Sequence, residues 1–145
     1  MQCSNAIILI QYPESGTKFY KSEKLNVMQK ILIVINDGPY GTEKAYNALR
    51  LANQIVKDHE QVEVRIFLMA DAVTCSLANQ KTPNGYYNIE RMMKFAISKG
   101  AEVKICGSCM DARGVRNAEL VEGAEPSTMA EFTGWVIDSD KVVSF

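Results

Sequence analysis

The sequence from residue 29 to residue 35 reads Gln29-Lys30-Ile31-Leu32-Ile33-Val34-Ile35. Its last five residues are all branched and apolar, with no polar residue between them. An unbroken run of this kind is typical of a strand that is buried on both faces, as in a parallel sheet. Turn-forming residues follow from Asn36 onward, and Thr42 is placed to cap the next helix. The segment therefore predicts the first strand of a parallel sheet.

The chain downstream alternates between helical and extended patterns. After the first strand, apolar residues recur at three- and four-residue steps, which predicts a helix; they are Ala45, Ala48, Leu49, Ala52, Ile55 and Val56. A second strand is predicted from Val62 to Leu68, and Asn88 is expected to cap a second helix. Strands at residues 101–105 and 141–145 follow. This order predicts an α/β fold: one three-layer domain with a mostly parallel central sheet and helices on both faces.

The region between the last two predicted strands is harder to assign. Residues 117–123 are expected to form one short helical turn. Thr128 and Glu131 fit a capping box that begins the last helix. Met129, Phe132 and Val136 then form an apolar stripe at helical spacing, which predicts a buried face. Trp135 lies off this stripe, either packed or at an interface.

The first 27 residues differ from the rest of the chain. They combine a short apolar patch with Pro13, Gly16 and a polar run that contains lysine and serine. The domain is therefore assigned to residues 28–145, and residues 1–27 are assigned to an N-terminal extension. Two interpretations of this extension stay open: a tail, disordered or packed elsewhere, or an upstream stretch that is not native to the protein.

Composition limits the classes of partner. The chain has 145 residues, of which 47% are hydrophobic and 23% are charged, as expected for one globular domain. The formal net charge of -1 gives no basic field, so neither nucleic acid nor a membrane surface is predicted as a partner. The apolar run Ala6 to Ile10 is too short for a signal-peptide core or a membrane span, so a cytoplasmic protein is expected.

Four cysteines in a reducing compartment suggest chemistry rather than a disulfide framework. The third predicted strand leads into the motif Cys106-Gly107-Ser108-Cys109. Gly107 allows a sharp turn that leaves the sulfur of Cys106 uncovered, and Ser108 suits the N-cap of a helix. Backbone N–H groups at that helix start favour the nucleophilic thiolate. Arg113 follows two helical turns later, and we predict that it stabilises the Cys106 thiolate.

Three interpretations of this C-x-x-C motif stay open. A zinc site would need two further ligands, but Cys3, Cys75 and His59 stand at no familiar spacing. A dithiol redox site would use Cys109 as the resolving thiol. A persulfide carrier needs only Cys106, with Cys109 as an assistant or a packing residue. Cys75 is expected to be a buried small hydrophobe.

Polar residues follow the predicted strands at their carboxyl ends, where ligands gather in open α/β sheets. We predict substrate contacts from Asp37, Tyr40 and Asp71 on this basis. The loop from Asp37 to Thr42 precedes a helix, but it lacks the lysine of a P-loop and the glycine spacing of a dinucleotide fingerprint. No cofactor and no metal are therefore predicted.

Several segments together resemble the DsrE/DsrF-like family. They are the buried strand followed by Gly38-Pro39-Tyr40-Gly41-Thr42, the strand and loop through Phe67 and Val73, Ile105-Cys106 followed by Arg113-Gly114-Val115, and the ending Asp140-Lys141-Val142-Val143-Ser144-Phe145. The resemblance covers residues 28–145 and rests on the order and spacing of these segments.

The resemblance implies a small α/β fold with a parallel sheet and a homo-oligomer, trimeric or hexameric. It also implies that Cys106 carries persulfide sulfur between sulfur donor and acceptor proteins. Cys109 is a departure, because the relay subunits of the family have no second cysteine at this position.

Three hypotheses for function follow. The first is a cytosolic sulfur-relay protein, at most a sulfurtransferase, that uses Cys106. The second is a dithiol oxidoreductase that uses Cys106 and Cys109, and the third is a non-catalytic oligomeric binding protein.

Overall fold

The computed structural model describes residues 28–145. The assignment of residues 1–27 as an extension, and Cys3 with it, lies outside the described residues. The elements in chain order are β1 (Gln29–Ile35), α1 (Lys44–Asp58), β2 (Val62–Leu68), a 3-10 helix (Ala70–Ser76), α2 (Ile89–Ser98), β3 (Glu102–Cys106), α3 (Gly107–Ala112), β4 (Ala124–Ser127), α4 (Met129–Asp138) and β5 (Lys141–Ser144).

The five strands form one sheet in the order β4-β3-β2-β1-β5, and every neighbouring pair is parallel. In the register of the central pair, Ile33 lies beside Ile66 and Ile35 lies beside Leu68. All four of these side chains are fully buried. The unbroken apolar run of β1 thus forms the strand buried on both faces that its composition predicts, because a strand with helices on both sides has no polar face.

Aromatic packing distinguishes the two faces of the sheet. The Phe67 ring lies 4.5 Å from the Phe132 ring and 6.1 Å from the Trp135 ring of α4, measured between centroids. Successive strand residues point to opposite faces, so the neighbours Ile66 and Leu68 point away from α4. The helices α1 and α2 pack against each other, and α1 contacts β1 and β2. The predicted α/β architecture is confirmed.

Two of the four predicted helix caps are confirmed. The side-chain oxygens of Asn88 and Thr128 accept the backbone N–H groups of Arg91 and Glu131, respectively. The cap predicted at Thr42 is wrong. The Thr42 hydroxyl donates instead to the Asp37 carboxylate at 2.9 Å, and α1 begins one residue later than that cap requires.

The predicted buried stripe of α4 is confirmed at Phe132, which packs against Phe67, and is wrong at its other two residues. Met129 and Val136 are exposed, whereas Trp135 is buried. The reason is the geometry of β2, which presents Phe67 and the Arg65 guanidinium to α4, the latter 5.5 Å from the Trp135 ring centroid. The large indole gains more from covering these two groups than Val136 would.

Residues 117–123 do not form the predicted helical turn. Leu120 instead makes an isolated antiparallel bridge to Leu77, and the chain then enters β4, a strand that the sequence analysis missed. The residues Ala124-Glu125-Pro126-Ser127 have low strand propensity, and Pro126 is tolerated because β4 is an edge strand. The helices of residues 28–145 lack the length and apolarity that crossing a membrane requires.

Candidate functional site

The loops that follow β1, β2 and β3 meet at the carboxyl edge of the sheet, as predicted. The Ala72 backbone N–H donates to the Asn36 carbonyl at 3.1 Å, which joins the first two loops. The Ala70 backbone N–H donates to the Cys109 sulfur at 3.3 Å, which joins the second loop to α3. This edge therefore gathers the residues of the C-x-x-C motif and those of the 3-10 helix.

Cys106 is the last residue of β3 and the residue immediately before α3. Only 3% of its surface is exposed, so the expectation of an uncovered sulfur is wrong. The strand β3 lies between β2 and β4, and Cys106 packs with the core residues. The exposed residue of the turn is Ser108.

Ser108 has a different role from the N-cap that was predicted. Cys106 occupies the N-cap position and Ser108 lies in the first turn of α3. The Ser108 hydroxyl oxygen is 3.3 Å from the Cys106 sulfur. The hydroxyl thus binds the sulfur rather than the backbone.

The surroundings of Cys106 favour its thiolate. Burial alone would raise the pKa of this thiol, but hydrogen bonds to the sulfur outweigh burial and lower the pKa below its ordinary value. The groups that favour the charged sulfur belong to Ser108 and Cys109 in the first turn of α3, and the contact within hydrogen-bond distance is the Ser108 hydroxyl at 3.3 Å. Cys106 can therefore act as a nucleophile although it is buried.

The surroundings of Cys109 favour its protonated thiol instead. Its pKa is raised, first by burial and then by the neighbouring Cys106 sulfur and its charge. The Ala70 N–H and the Arg113 charge lower it, without reversing that shift. The two thiols titrate as a pair, with the lowered pKa at Cys106 and the raised pKa at Cys109.

Arg113 is placed beside Cys109. Its guanidinium donates twice to one Asp71 carboxylate oxygen, from Nε at 2.9 Å and from Nη2 at 2.7 Å. Its Nη1 donates to the Cys109 carbonyl at 3.1 Å. The contacts of Arg113 are thus with Asp71 and Cys109, and its stabilisation of the Cys106 thiolate stays a prediction.

The other predicted contact residues are engaged elsewhere at the same edge. The Asp37 carboxylate accepts hydrogen bonds from Thr42 at 2.9 Å and from Lys44 at 3.3 Å. The exposed Tyr40 donates its hydroxyl to Gln80 Oε1 at 2.8 Å. Asp71 is the one of the three that contacts a residue of α3 or its C-cap directly, through Arg113. Substrate binding by Asp37, Tyr40 and Asp71 stays a prediction.

Sequence reasoning missed two contributors to the site. Ala70 has φ +46°, a left-handed conformation that is uncommon for alanine and that no sequence pattern announces. Arg116 lies over Gly107, because a Cβ added at Gly107 would be 2.6 Å from Arg116 Nη1. The glycine after Cys106 was a signal for a close approach, but not for which side chain approaches.

Residues 28–145 hold no group of three or more histidine, cysteine or acidic side chains that could bind a metal ion. Cys75, one of the ligands considered for zinc, is fully buried, as expected of a small hydrophobe. Burial, assisted by the nearby Asp37 carboxylate, raises the pKa of Cys75 to about 12.

The site belongs to a domain with recognisable relatives. A model of the DsrE/DsrF-like family matches residues 29–145. Protein YchN of Escherichia coli (strain K12) is 42% identical over 118 residues, which are 81% of this chain and all of YchN. The crystal structure of the E. coli protein superposes with a TM-score of 0.78 over the same shares of both chains.

More distant proteins extend the comparison. An uncharacterized protein of Methanocaldococcus jannaschii is 40% identical over 116 residues, which are 80% of this chain and 99% of that protein. A conserved protein of Bacteroides thetaiotaomicron, only 14% identical, shares the fold with a TM-score of 0.56 over 83% of this chain and 98% of that one. The chain therefore belongs to the DsrE/DsrF-like family, a family linked to sulfur relay.

Proposed function

We propose that this protein is a cytosolic sulfur-relay protein that carries sulfane sulfur as a persulfide on Cys106. One observation carries the proposal: the buried Cys106 sulfur lies at the start of α3, 3.3 Å from the Ser108 hydroxyl oxygen, and the polar groups of this helix start lower its pKa against the effect of burial. A thiolate is the form that attacks a persulfide. Membership of the DsrE/DsrF-like family supports the same chemistry.

The relay has two balanced steps. The Cys106 thiolate attacks the outer sulfur of a donor persulfide, a Cys106 S–S bond forms, and the donor leaves as its thiolate. An acceptor thiolate then attacks the outer sulfur on Cys106, and the electron pair of the broken S–S bond returns to the Cys106 sulfur. No electrons are gained or lost overall, so the carrier needs no cofactor.

Burial of Cys106 suits this sequence. Attack on the inner sulfur of the persulfide would release hydrosulfide and leave a mixed disulfide. The inner sulfur is the atom that belongs to the 3%-exposed Cys106, whereas the outer sulfur projects one bond further. Access to an attacking thiolate governs which sulfur reacts, so the fold favours transfer over release.

The proposed partners are a sulfur donor protein, a sulfur acceptor protein and further copies of this chain in a trimer or hexamer. Three exposed apolar side chains on α4 support assembly: Met129, Val136 and Ile137, the last of which is 81% exposed. The donor and acceptor would approach the carboxyl edge of the sheet, where Cys106 lies.

The test is to incubate the full chain with a cysteine desulfurase and cysteine, and then to measure the masses of its peptides by mass spectrometry. We expect one added sulfur on the Cys106 peptide, lost on later treatment with a reducing thiol. Cys106→Ser should carry no added sulfur, and Cys75→Ser, a substitution at a buried thiol of raised pKa, should be loaded like the wild type. Absence of added sulfur on wild-type Cys106 would contradict the proposal.

A dithiol oxidoreductase is the second candidate, favoured by the position of Cys109 in the first turn of the helix that Cys106 precedes. Here Cys106 attacks a disulfide substrate, and the Cys109 thiolate then attacks the mixed disulfide and forms a Cys106–Cys109 bond. This candidate predicts a reversible loss of two hydrogens from the peptide that holds both cysteines. A redox titration that is unchanged in Cys109→Ser would eliminate it.

A further inference from the structure

We infer that Arg116 selects the sulfur donors and acceptors of Cys106, and that it favours those with a carboxylate beside the reacting sulfur. The inference rests on the proposed persulfide chemistry and adds a substrate class to it. The attacking atom remains the Cys106 sulfur, and Arg116 is a specificity-determining residue. Its guanidinium binds the carboxylate, which holds the sulfur of the same molecule at the edge of the sheet where Cys106 lies.

Two contacts place the Arg116 guanidinium at the end of β3. A Cβ added at Gly107 would lie 2.6 Å from Arg116 Nη1 and 3.0 Å from Nη2, so the guanidinium lies against the residue that directly follows Cys106. The same Cβ would lie 3.0 Å from the carbonyl oxygen of Ser127, the β4 residue that pairs with Cys106 in the sheet. The guanidinium therefore lies over the end of the β3–β4 pair, beside the turn whose exposed residue is Ser108.

Gly107 makes this placement possible. A Cβ at 2.6 Å from a nitrogen is closer than two non-bonded atoms can come, so any other residue here would displace either the guanidinium or the start of α3. The arginine therefore fits against this turn only because the residue after Cys106 has no side chain.

Arg116 is held by one acidic residue and keeps donors to spare. Its Nε lies 3.0 Å from Asp111 Oδ1, and its Nη2 donates to Asp111 Oδ2 at 3.3 Å. Among the described residues, no hydrogen bond of Arg116 uses Nη1. A guanidinium offers five N–H donors in a fixed planar arrangement. Asp111 therefore sets the orientation of the plane and leaves the Nη1 donors for a carboxylate.

Arg113 and Lys104 are cations of the same region that are more fully engaged. Arg113 donates twice to Asp71 and once to the Cys109 carbonyl. Lys104, on β3, binds two carboxylates, at 2.8 and 3.5 Å. Arg116 exposes 45% of its side chain, against 30% for Arg113 and 19% for Lys104. Arg116 is therefore the cation of the three that is best placed to bind a partner.

The chemical consequence is a preference for an anionic partner. Without a cation at this place, the exposed carboxylates of Asp71 and Asp111 and the Cys106 thiolate itself would repel one. A carboxylate bound to Arg116 offsets that repulsion and orients the sulfur beside it. Arg116 forms no covalent bond and keeps its proton, because a guanidinium is not deprotonated in proteins. It therefore adds affinity and orientation to both relay steps, and no step of its own.

The first test compares two alkylating agents of similar size on the full chain. Iodoacetate carries a carboxylate beside the reacting carbon, whereas iodoacetamide is neutral. Both react with the same Cys106 thiolate, so the ratio of their rates does not depend on the pKa of Cys106. Arg116→Gln should lower the ratio of the iodoacetate rate to the iodoacetamide rate about threefold, because a partly exposed ion pair is lost. High salt should lower the wild-type ratio in the same direction.

Two further variants separate the local charge from the net charge. Lys99→Gln is the matched control, because it removes one positive charge from an exposed residue between α2 and the start of β3, at the opposite edge of the sheet. It should leave the ratio unchanged. Arg116→Lys keeps a cation on a shorter donor set and should retain part of the preference.

The second test measures transfer of sulfane sulfur from the preloaded full chain. The acceptors are two short peptides, in which the cysteine is followed by aspartate or by asparagine, and the small thiol mercaptoacetate with its neutral amide. The wild type should favour the acidic member of each pair about threefold more than Arg116→Gln does, and the intrinsic reactivities of the thiols cancel in this comparison. A preference confined to mercaptoacetate would assign the carboxylate to a free anionic thiol rather than to a partner protein.

An alkylation ratio that is the same in wild type and Arg116→Gln would overturn the inference. If both rates rose together in the variant, the guanidinium would be only a cover over Cys106. A preference for the acidic acceptors that persists in Arg116→Gln would overturn the inference as well. These results differ from failure of the proposed function, in which wild-type Cys106 never acquires the added sulfur although its alkylation ratio still depends on Arg116.

Discussion

Cys75 and Cys106 are two buried thiols at the same edge of the sheet, with 0% and 3% of their surface exposed. Burial disfavours the charged form of both. Nevertheless the pKa of Cys75 is raised to about 12, while that of Cys106 falls below its ordinary value. Depth in the fold therefore does not decide which thiol can react.

The direction of the hydrogen bonds makes the difference. The Cys75 thiol faces the Asp37 carbonyl at 3.7 Å, an acceptor that requires the proton to stay on sulfur. The Asp37 carboxylate adds a like charge that opposes a thiolate there. Cys106 instead lies at the start of α3, 3.3 Å from the Ser108 hydroxyl oxygen, and the polar groups of Ser108 and Cys109 lower its pKa. The hydrogen-bond partners of the sulfur, and not its burial, thus separate Cys106 from Cys75.

The comparison predicts a large contrast in native-state alkylation. At pH 7, a thiol of pKa about 12 is a thiolate in about one molecule in 10⁵. We expect iodoacetamide to modify Cys106 at least a thousandfold faster than Cys75, as read by peptide mass spectrometry on the folded chain. In urea, where both environments are lost, the two rates should converge.

The same experiment tests whether Cys106 is a second packing cysteine. Silence of Cys106 until the protein unfolds would show that burial outweighs the donors. The non-catalytic oligomeric binding protein would then be the preferred hypothesis.

Much of the fold around the two thiols could be predicted from the sequence, because the patterns that determine it are local. The apolar run of β1, the helical spacing of α1 and the strand before Cys106 follow patterns of short range, and the structure confirms them. The turn after β3 correctly indicated that a helix begins directly after Cys106. Both features depend only on residues that are close in the chain.

The remainder depends on contacts between distant segments. β4 has little strand propensity of its own and exists because β3 offers it an edge. The left-handed Ala70 and its bond to Cys109 connect residues 39 positions apart. The burial of Cys106 depends on these neighbours as well, which explains why its sulfur was expected to be uncovered.

A substitution at Gly107 should change the surroundings of Cys106 but not those of Cys75. A Cβ at this position would lie 2.6 Å from Arg116 Nη1 and 3.0 Å from the Ser127 carbonyl oxygen, so both α3 and Arg116 must shift. Gly107→Ala should lower the free energy of unfolding by about 1–3 kcal/mol and slow alkylation of Cys106, because its donors move. Urea unfolding and peptide alkylation measure the two effects.

Gly134→Ala is the control for that substitution. Gly134 lies within α4, and among the described residues no atom approaches within 4 Å of its added Cβ. The substitution should raise the free energy of unfolding by about 0.5–1 kcal/mol through helix propensity and leave Cys106 unchanged. Equal effects of the two substitutions would show that the space at Gly107 is not special.

The smallest expected effect is on stability against pH, and it has opposite signs for the two thiols. An unfolded thiol loses its proton near pH 9, whereas folded Cys75 keeps it to about 12. Above pH 9 the native state therefore binds more protons at Cys75 than the unfolded state, and stability falls by up to about 1.4 kcal/mol per pH unit. Cys75→Ala should remove this fall.

Folded Cys106 loses its proton below pH 9, so its contribution to stability grows as pH rises toward 9. Cys106→Ala should remove that growth, which leaves the two variants differing from wild type in adjacent pH ranges. The measurement is a urea titration of each variant and wild type at pH values on either side of 9; tyrosine and lysine titrations cancel in each difference. A shift of the same sign for both variants would mean that burial, and not the direction of the hydrogen bonds, sets the state of both sulfurs.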